Sequence, residues 1–289
     1  MSISVETDWL ELWRELAISD PYATNGEPTK RYIEHVKNRR ERPDPLLNFL
    51  LKEIDSCATV LDIGAGNGRW TIPMAKIAQG VTAVEPSDAM QKVLRENLKA
   101  DGLNNVRTIQ STWEEAVVEP HDFVVCAHAM YSIVDFSSFI RKMEQSAKKG
   151  CYLAIRFPPA DGIIGELSHS IHGRYHDSPN AIIAYNALYS LGIYANLLVE
   201  NNIYRWVNTT FKDAFARAKR HLHLESSTNY DKLIKDTLYR RLIPSDDSLV
   251  WPDGMRSALL WWHPSSDSNK LSEHIVPDFQ SFKRNGHNT

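Results

Sequence analysis

The chain reads as an α/β protein built on a doubly wound, mostly parallel sheet, and three features carry that reading. Between residues 58 and 157, short apolar runs alternate with amphipathic stretches of helical length. The first run, Val60-Leu61-Asp62-Ile63, breaks into a glycine-rich turn, Gly64-Ala65-Gly66-Asn67-Gly68, that opens a helix. The second, Val81-Thr82-Ala83-Val84, ends on Glu85, about 20 residues on, where nucleotide folds place a ribose-binding acid.

The elements follow in order. Trp9, Leu10, Leu12, Trp13 and Leu16 recur at helical spacing over 8–17, with Thr7 as a cap. Pro21, Asn25-Gly26 and Pro28 mark a turn-rich stretch over 18–30. A helix near 30–40 follows, and Pro43 and Pro45 lead into another over 46–54. The alternation then runs as strand 58–63, helix 70–78, strand 81–85 and helix 87–100. Pro73 is tolerable in a first turn, and Ser87 or Asp88 caps the longer helix. Strands 105–110 and 122–127 precede a helix over 135–148. It starts at Asp135 and ends at Lys148-Lys149-Gly150, where basic groups suit the dipole. Strand 151–157 closes this half; strands alternating with helices imply a parallel sheet covered on both faces, with right-handed crossovers. Pro158-Pro159 opens a polar segment. Helix 180–191 and strand 193–200 come next, the strand with Ile193, Ala195, Leu197 and Val199 inward. Residues 210–243 read as helical and 255–262 as a final strand.

These boundaries divide the chain into an N-terminal helical cover (1–55), a main domain (56–264) with insertions at 158–180 and 201–250, and a polar tail (265–289). At 289 residues, with 43% hydrophobic and 24% charged side chains, the composition is that of a soluble globular protein. No apolar run reaches membrane-span length and no leader pattern opens the chain, so the expected location is cytoplasmic. A net charge of −3 gives no overall attraction for nucleic acid. Cys57, Cys126 and Cys151 are odd in number and widely spaced, and two lie in apolar strands, as reduced core thiols do.

The turn discriminates between ligands. Glycines at 64 and 66 permit backbone shapes and close approach denied to residues with a Cβ. Gly68 follows Gly66 by two positions, not the three of a dinucleotide-binding turn. Asp62 at its mouth would repel a pyrophosphate and attract an ammonium or sulfonium. A nucleoside with a cationic amino-acid tail fits.

These residues resemble the class I S-adenosylmethionine-dependent methyltransferases. Leu61–Gly68 is similar to that family's D-x-G-x-G-x-G motif, and Val84-Glu85-Pro86-Ser87-Asp88-Ala89-Met90 to its second motif. Asn105–Gln110 with Ser111-Thr112-Trp113 resembles the third strand and the loop along adenine; His121–His128 resembles the fourth strand. The resemblance covers roughly 55–157 well and implies a Rossmann-like methyltransferase fold. It also implies variable N-terminal helices over the cofactor and a final strand antiparallel to its neighbours. For the cofactor, S-adenosyl-L-methionine, it implies Asp62 on the amino group, with Gly64, Ala65, Gly66 and Gly68 in close approach. Glu85 would hold the ribose diol, Pro86, Met90, Thr112 and Trp113 would border adenine, and the Ala127 carbonyl would lie near the amino-acid end.

His128 and Tyr131 follow the fourth strand, where open α/β sheets bind ligands. A neutral imidazole suits a general base and a phenol can orient an acceptor; the alternative is a histidine that only bonds a carbonyl. His169, His172 and His176, with Asp161 and Asp177 nearby, would share one helix face and suit a metal or an anionic substrate. Gly173 within the run weakens that helix, and an exposed polar lid is the plainer alternative. No metal is therefore assigned. Lys212, Arg217, Lys219, Arg220, Lys232, Lys235, Arg240 and Arg241 suggest RNA, yet Asp213, Glu225, Asp231 and Asp236 make a mixed, solvated face. Trp9, Trp13, Tyr22, Tyr32, Trp70 and Tyr175 either build a pocket for a flat substrate or fill the core. The expected activity is methyl transfer to a small or medium-sized metabolite. The rivals are a methyltransferase of RNA or protein, and a non-catalytic scaffold. Strand four ends Ala127-His128-Ala129-Met130, without the Asn/Asp-Pro-Pro-Tyr/Phe sequence of amino-group methylation.

Overall fold

The structure, a computed structural model, describes residues 7–19, 44–201, 205–252 and 254–264. The helix expected near 30–40, most of the turn-rich stretch, Tyr22, Tyr32 and the tail lie outside them.

Alternating apolar residues over 59–157 make the strands β1 (Thr59–Ile63), β2 (Gly80–Val84), β3 (Val106–Ile109), β4 (His121–Ala127) and β5 (Ala147–Phe157). With β6 (Asn196–Val199) and β10 (Arg256–Trp262) they form one sheet, ordered β3-β2-β1-β4-β5-β10-β6. β1 to β5 pair in parallel, and β10 is antiparallel to both β5 and β6. The order reverses between β1 and β4, which puts a ligand crevice at their carboxyl ends.

Period-two alternation splits the strands between two layers. Leu61, Val124, Cys126, Leu153, Ile155 and Leu260 pack toward α1 (Trp9–Ile18), α5 (Phe136–Gln145) and α7 (Ala181–Ser190). Val60, Phe123, Val125, Tyr152 and Leu259 pack toward α2 (Pro45–Leu51) and α3 (Thr71–Ala75). α4 (Asp88–Ala100) covers the β2 end through Leu94 and Leu98. Trp13 and Trp70 lie in these cores, while Tyr175 is exposed.

Caps explain where the helices begin. The Asp8 carboxylate accepts from Leu10 and Glu11 N–H, and Asp44 does so from Leu47 N–H. Asp44 also holds Arg69 at 2.7 Å and the Trp70 indole N–H at 3.0 Å, which ties α2 to the turn after β1. Ser87, not Asp88, caps α4.

Three expectations about these elements change. Lys148, Lys149 and Gly150 belong to β5 rather than to the end of a helix, because α5 stops at Ser146. Gly150 sits there against Tyr152 and Phe123, where an added Cβ would lie 2.9 Å from the Tyr152 ring. The stretch 210–243 is two helices, α8 (Phe211–His221) and α9 (Asp231–Arg241), followed by β8 (Ile243–Ser245). Of the residues expected inward on strand 193–200, Leu197 is 44% exposed, because β6 is the sheet's outer strand and its layer is incomplete.

The segment after Pro159 holds an apolar helix, α6 (Ile163–His172). Its Ile163, Ile164 and Leu167 share a core with Ala214, Ala218, Ile234 and Leu238 of α8 and α9. A small sheet, β7 (Val207–Asn208), β9 (Ser248–Val250) and β8, adds Trp251 to that core. Glu166 of α6 pairs with Arg240 and with Arg241 of α9, the latter at 2.7 Å. The two insertions therefore form one unit over the carboxyl ends of β5 and β6.

Candidate active site

The turn after β1 needs its glycines. Gly64, Gly66 and Gly68 have φ of 71°, 56° and 88°, in the left-handed region. At Gly64 a Cβ would lie 2.2 Å from the Ala129 Cβ, so this turn and the loop after β4 touch. Gly64 and Ala65 N–H both donate to Val84 O, at 2.8 and 3.1 Å, which binds the turn to β2.

Two carboxylates converge there. Glu85 accepts from Gly66 N–H at 2.8 Å and from Ser87 N–H at 2.9 Å, and burial still raises its pKa. Asp62, 2% exposed, accepts from the Thr71 hydroxyl at 2.5 Å. Burial pushes its pKa up to about 6, against the Thr71 bond, and the Glu85 charge adds to the rise. A polyanion would meet two buried acids here. A ligand bringing an ammonium and a diol would relieve both, so the donor set fits the cofactor that the motifs imply.

Met90 is buried at the start of α4, its Cε 3.6 Å from where a Gly66 Cβ would be; Pro86 lies in the loop between Glu85 and that helix. Thr112 Oγ1 accepts from Glu115 N–H at 3.4 Å in the loop after β3. The Trp113 indole points into the core, edge-on to Phe139 with Lys142 over its face at 4.6 Å. Ala127, the last residue of β4, pairs with Ala154.

His128 follows with φ 58°, held by its N–H on Ala154 O at 2.8 Å. A non-glycine residue in that conformation is strained. Its Nδ1 lies 2.8 Å from Tyr131 Oη, which also accepts from Arg156 N–H at 3.0 Å. The Arg156 guanidinium covers the Tyr131 ring at 4.0 Å. Burial raises the phenol's pKa, so Tyr131 keeps its proton.

The three lid histidines do not share a face. α6 ends at Gly173, φ 74°, which leaves His176 beyond the helix. His169 stacks on Tyr175 at 4.1 Å, and His172 Nε2 donates to Leu222 O at 3.1 Å. Among the described residues no group of three His, Cys, Asp or Glu side chains is arranged to hold a metal ion. His172, His176 and Asp177 instead line a cavity of about 340 Å³ together with His221. A shallower hollow of about 310 Å³ lies at the opposite ends of β1–β3, where His121 and Thr82 bond each other at 2.8 Å.

Sequence reasoning missed Thr71, Arg156 and His221. A lone arginine in the apolar β5 was a visible signal for Arg156; His221 left none, since it follows basic residues in an ordinary helix.

Comparison with known proteins agrees with this geometry. The family model described as a methyltransferase domain matches residues 35–236. The uncharacterized methyltransferase YcgJ of Bacillus subtilis is 25% identical over 193 residues, 63% of this chain and 75% of its own length. Its crystal structure superposes with a TM-score of 0.52 at 18% identity, over 75% of this chain and 97% of that one, a likeness of fold. A demethylmenaquinone methyltransferase of Listeria monocytogenes is 30% identical over 125 residues, 42% of this chain and 50% of that enzyme. No described helix is long and apolar enough to cross a membrane. With the glycine turn, the paired acids and a family match over most of its length, this chain belongs to the class I S-adenosylmethionine-dependent methyltransferases.

Proposed function

We propose that the enzyme transfers the methyl group of S-adenosyl-L-methionine to a small or medium-sized metabolite in the cytoplasm. The observation that carries the cofactor half is the buried pair Asp62 and Glu85 facing a main-chain turn of three left-handed glycines. Asp62 would hold the cofactor's ammonium and Glu85 its ribose hydroxyls. The main chain of Gly64, Ala65, Gly66 and Gly68 lets the ligand approach. Pro86, Met90, Thr112 and the backbone of Trp113 would border the adenine, and the Ala127 carbonyl the amino-acid end. When bound, the cofactor supplies a methyl on a sulfonium, already activated for in-line displacement.

The chain's own task is alignment and disposal of a proton. As a general base, neutral His128 would donate from Nδ1 to Tyr131 Oη, whose other lone pair takes Arg156 N–H, and would take the acceptor's proton on the Nε2 lone pair. Tyr131 thereby keeps the ring oriented in both states. A small acceptor is supported by the limited volume of the histidine-lined cavity. The net charge of −3, which gives no overall attraction for nucleic acid, favours a metabolite over RNA.

Purified enzyme incubated with methyl-labelled cofactor and extract from the source cells tests this. Label among small molecules is the expected result; label in RNA or protein would overturn the substrate class. Glu85→Ala should abolish cofactor binding and transfer together, and unchanged transfer would refute the ribose assignment.

A further inference from the structure

The hollow of about 310 Å³ lies at the end of the sheet opposite the cofactor turn, and Gly80, Thr82, Asn104, Arg107 and His121 are among the residues that line it. Thr82 on β2 and Arg107 on β3 are register partners, so their side chains share one face of the sheet. His121 opens β4 and bonds the Thr82 hydroxyl at 2.8 Å, bridging the start of β1, which lies between their strands.

Cations prevail there. The charges of Arg107 and Lys148 both act on His121. Both side chains are exposed, and neither pairs with a carboxylate among the described residues. Asp122, the acid that acts on His121, is already engaged. It accepts from the Thr59 N–H and hydroxyl, each at 2.9 Å, and pairs with Lys149 at 3.1 Å. The Asn105 amide is committed as well, donating to Ala75 O and Ala78 O at 2.8 and 3.1 Å. The exposed Asn104 amide and the Arg107 fork are left as donors, a set suited to a tetrahedral oxyanion.

The bonds of His121 add a switchable donor. Glu119 O can only accept, so Nδ1, 2.6 Å from it, carries a hydrogen in either charge state. Burial, with the Lys148 and Arg107 charges, outweighs the Glu119 bond and Asp122 and lowers the pKa below the ordinary 6.5. In the neutral ring the Nε2 lone pair therefore takes the Thr82 hydrogen. When Nε2 gains a proton from solvent it donates to Thr82 Oγ1 instead, and the hydroxyl hydrogen is released to a ligand in the hollow. A bound dianion favours that state because it offsets the two cations.

We propose that this hollow is a second binding site, apart from the methyl-transfer crevice, for a small molecule carrying a phosphate monoester. Arg107 takes two of its oxygens, the Asn104 amide a third, and the Thr82 hydroxyl joins once His121 is protonated. A monoester is favoured over a nucleic-acid backbone because its second negative charge answers both cations, whereas the chain as a whole carries −3.

The imidazole resonances of the full chain are followed by NMR through a pH titration with and without sulfate, a dianion throughout. Affinities for inorganic phosphate and for dimethyl phosphate, the monoanionic analogue of a nucleic-acid backbone, are measured at about pH 7.5 and fixed ionic strength. Saturating sulfate should raise the His121 pKa by about half a unit or more. Phosphate should bind at least about threefold tighter than dimethyl phosphate. Arg107→Gln should weaken phosphate at least about tenfold. Lys148→Gln, on another strand, should raise the His121 pKa in the absence of any anion and weaken phosphate about threefold. Both substitutions are at exposed positions, outside the core. A His121 pKa that sulfate leaves unmoved, dimethyl phosphate binding as tightly as phosphate, phosphate binding untouched by Arg107→Gln, or none at about 20 mM would each overturn the proposal.

Discussion

Asp62→Asn separates what the cofactor site costs the fold from what it does for binding. The carboxyl's ordinary pKa is 3.8 and burial lifts it to about 6, so the native state holds its proton more tightly than the unfolded chain does. The ionised form therefore destabilises the native state above pH 6, less so as pH falls, and not at all below 3.8. About two pH units at ~1.4 kcal/mol each give a penalty of roughly 3 kcal/mol at pH 7.5. The amide removes that penalty and keeps an oxygen for the Thr71 hydroxyl, although exchanging a charged acceptor for a neutral one gives back about 1 kcal/mol. The variant should be more stable by about 2 kcal/mol at pH 7.5, and this gap should shrink by about 2 kcal/mol on going to pH 4.5. Urea unfolding at the two pH values measures it. Titration calorimetry at pH 7.5 should show cofactor affinity falling by about a hundredfold or more, since the buried ammonium partner is gone. A variant less stable than the parent at pH 7.5, or a gap that ignores pH, would refute the reasoning.

Three further perturbations follow from the same geometry. In the parent enzyme, an ammonium beside Asp62 lowers its pKa again, so cofactor affinity should rise up to about tenfold per pH unit below 6 and level off above 7; affinity independent of pH from 5 to 8 would contradict this. Gly64→Ala places a Cβ 2.2 Å from Ala129, whereas Gly173→Ala, at nearly the same φ, meets nothing within 4 Å. The second should cost only the left-handed penalty of about 1–2 kcal/mol, and the first should cost more and abolish cofactor binding; equal thermal shifts would show the contact to be soft. Trp13→Phe removes the indole N–H that donates to Ile133 O at 2.8 Å and should cost about 1–2 kcal/mol. Because Ile133 belongs to the loop carrying His128 and Tyr131, label transfer should fall more than cofactor affinity, and a proportional loss of both would argue against that coupling.

The parts of the protein that could be read from its sequence are those decided over short separations. Asp62, the three glycines and Glu85 lie within two strands and one turn, and each residue's chemistry limits what its neighbours can bind. The strands were legible because both layers cover them, so period two is uninterrupted from Phe123 to Cys126 and from Cys151 to Ile155. Legibility failed where a tertiary partner overrode local preference. Lys148 and Lys149 suit a helix end, yet β4 recruits them: Lys149 pairs with Asp122 at 3.1 Å, and Asp122 also takes Thr59 N–H at 2.9 Å. Leu197 follows the inward pattern, but a strand at the edge of a sheet has no complete layer to face.

The same distinction divides the site itself. The proposed cofactor half centres on the turn after β1 and the end of β2, so its acids and glycines stand close together in the sequence, although Thr71 on α3, the partner of Asp62, was missed. The histidine-lined half is assembled from Ser19, residues 168–177 and residues 221–223, so no sequence window contains it. Three histidines within eight positions invited a helical face, and Gly173 broke it by ending α6 in a left-handed cap. That break turns the chain so that His176 and Asp177 meet His221 from another helix. The insertions fold on their own core and line the cavity with α6, the loop after it and the end of α8, away from the β1–β2 turn. The acids and glycines held in a local motif are separable from a cavity assembled between distant segments, and His172→Ala against Asp62→Asn is the pair of variants that shows it: the first should leave cofactor affinity intact, and the second should lower it.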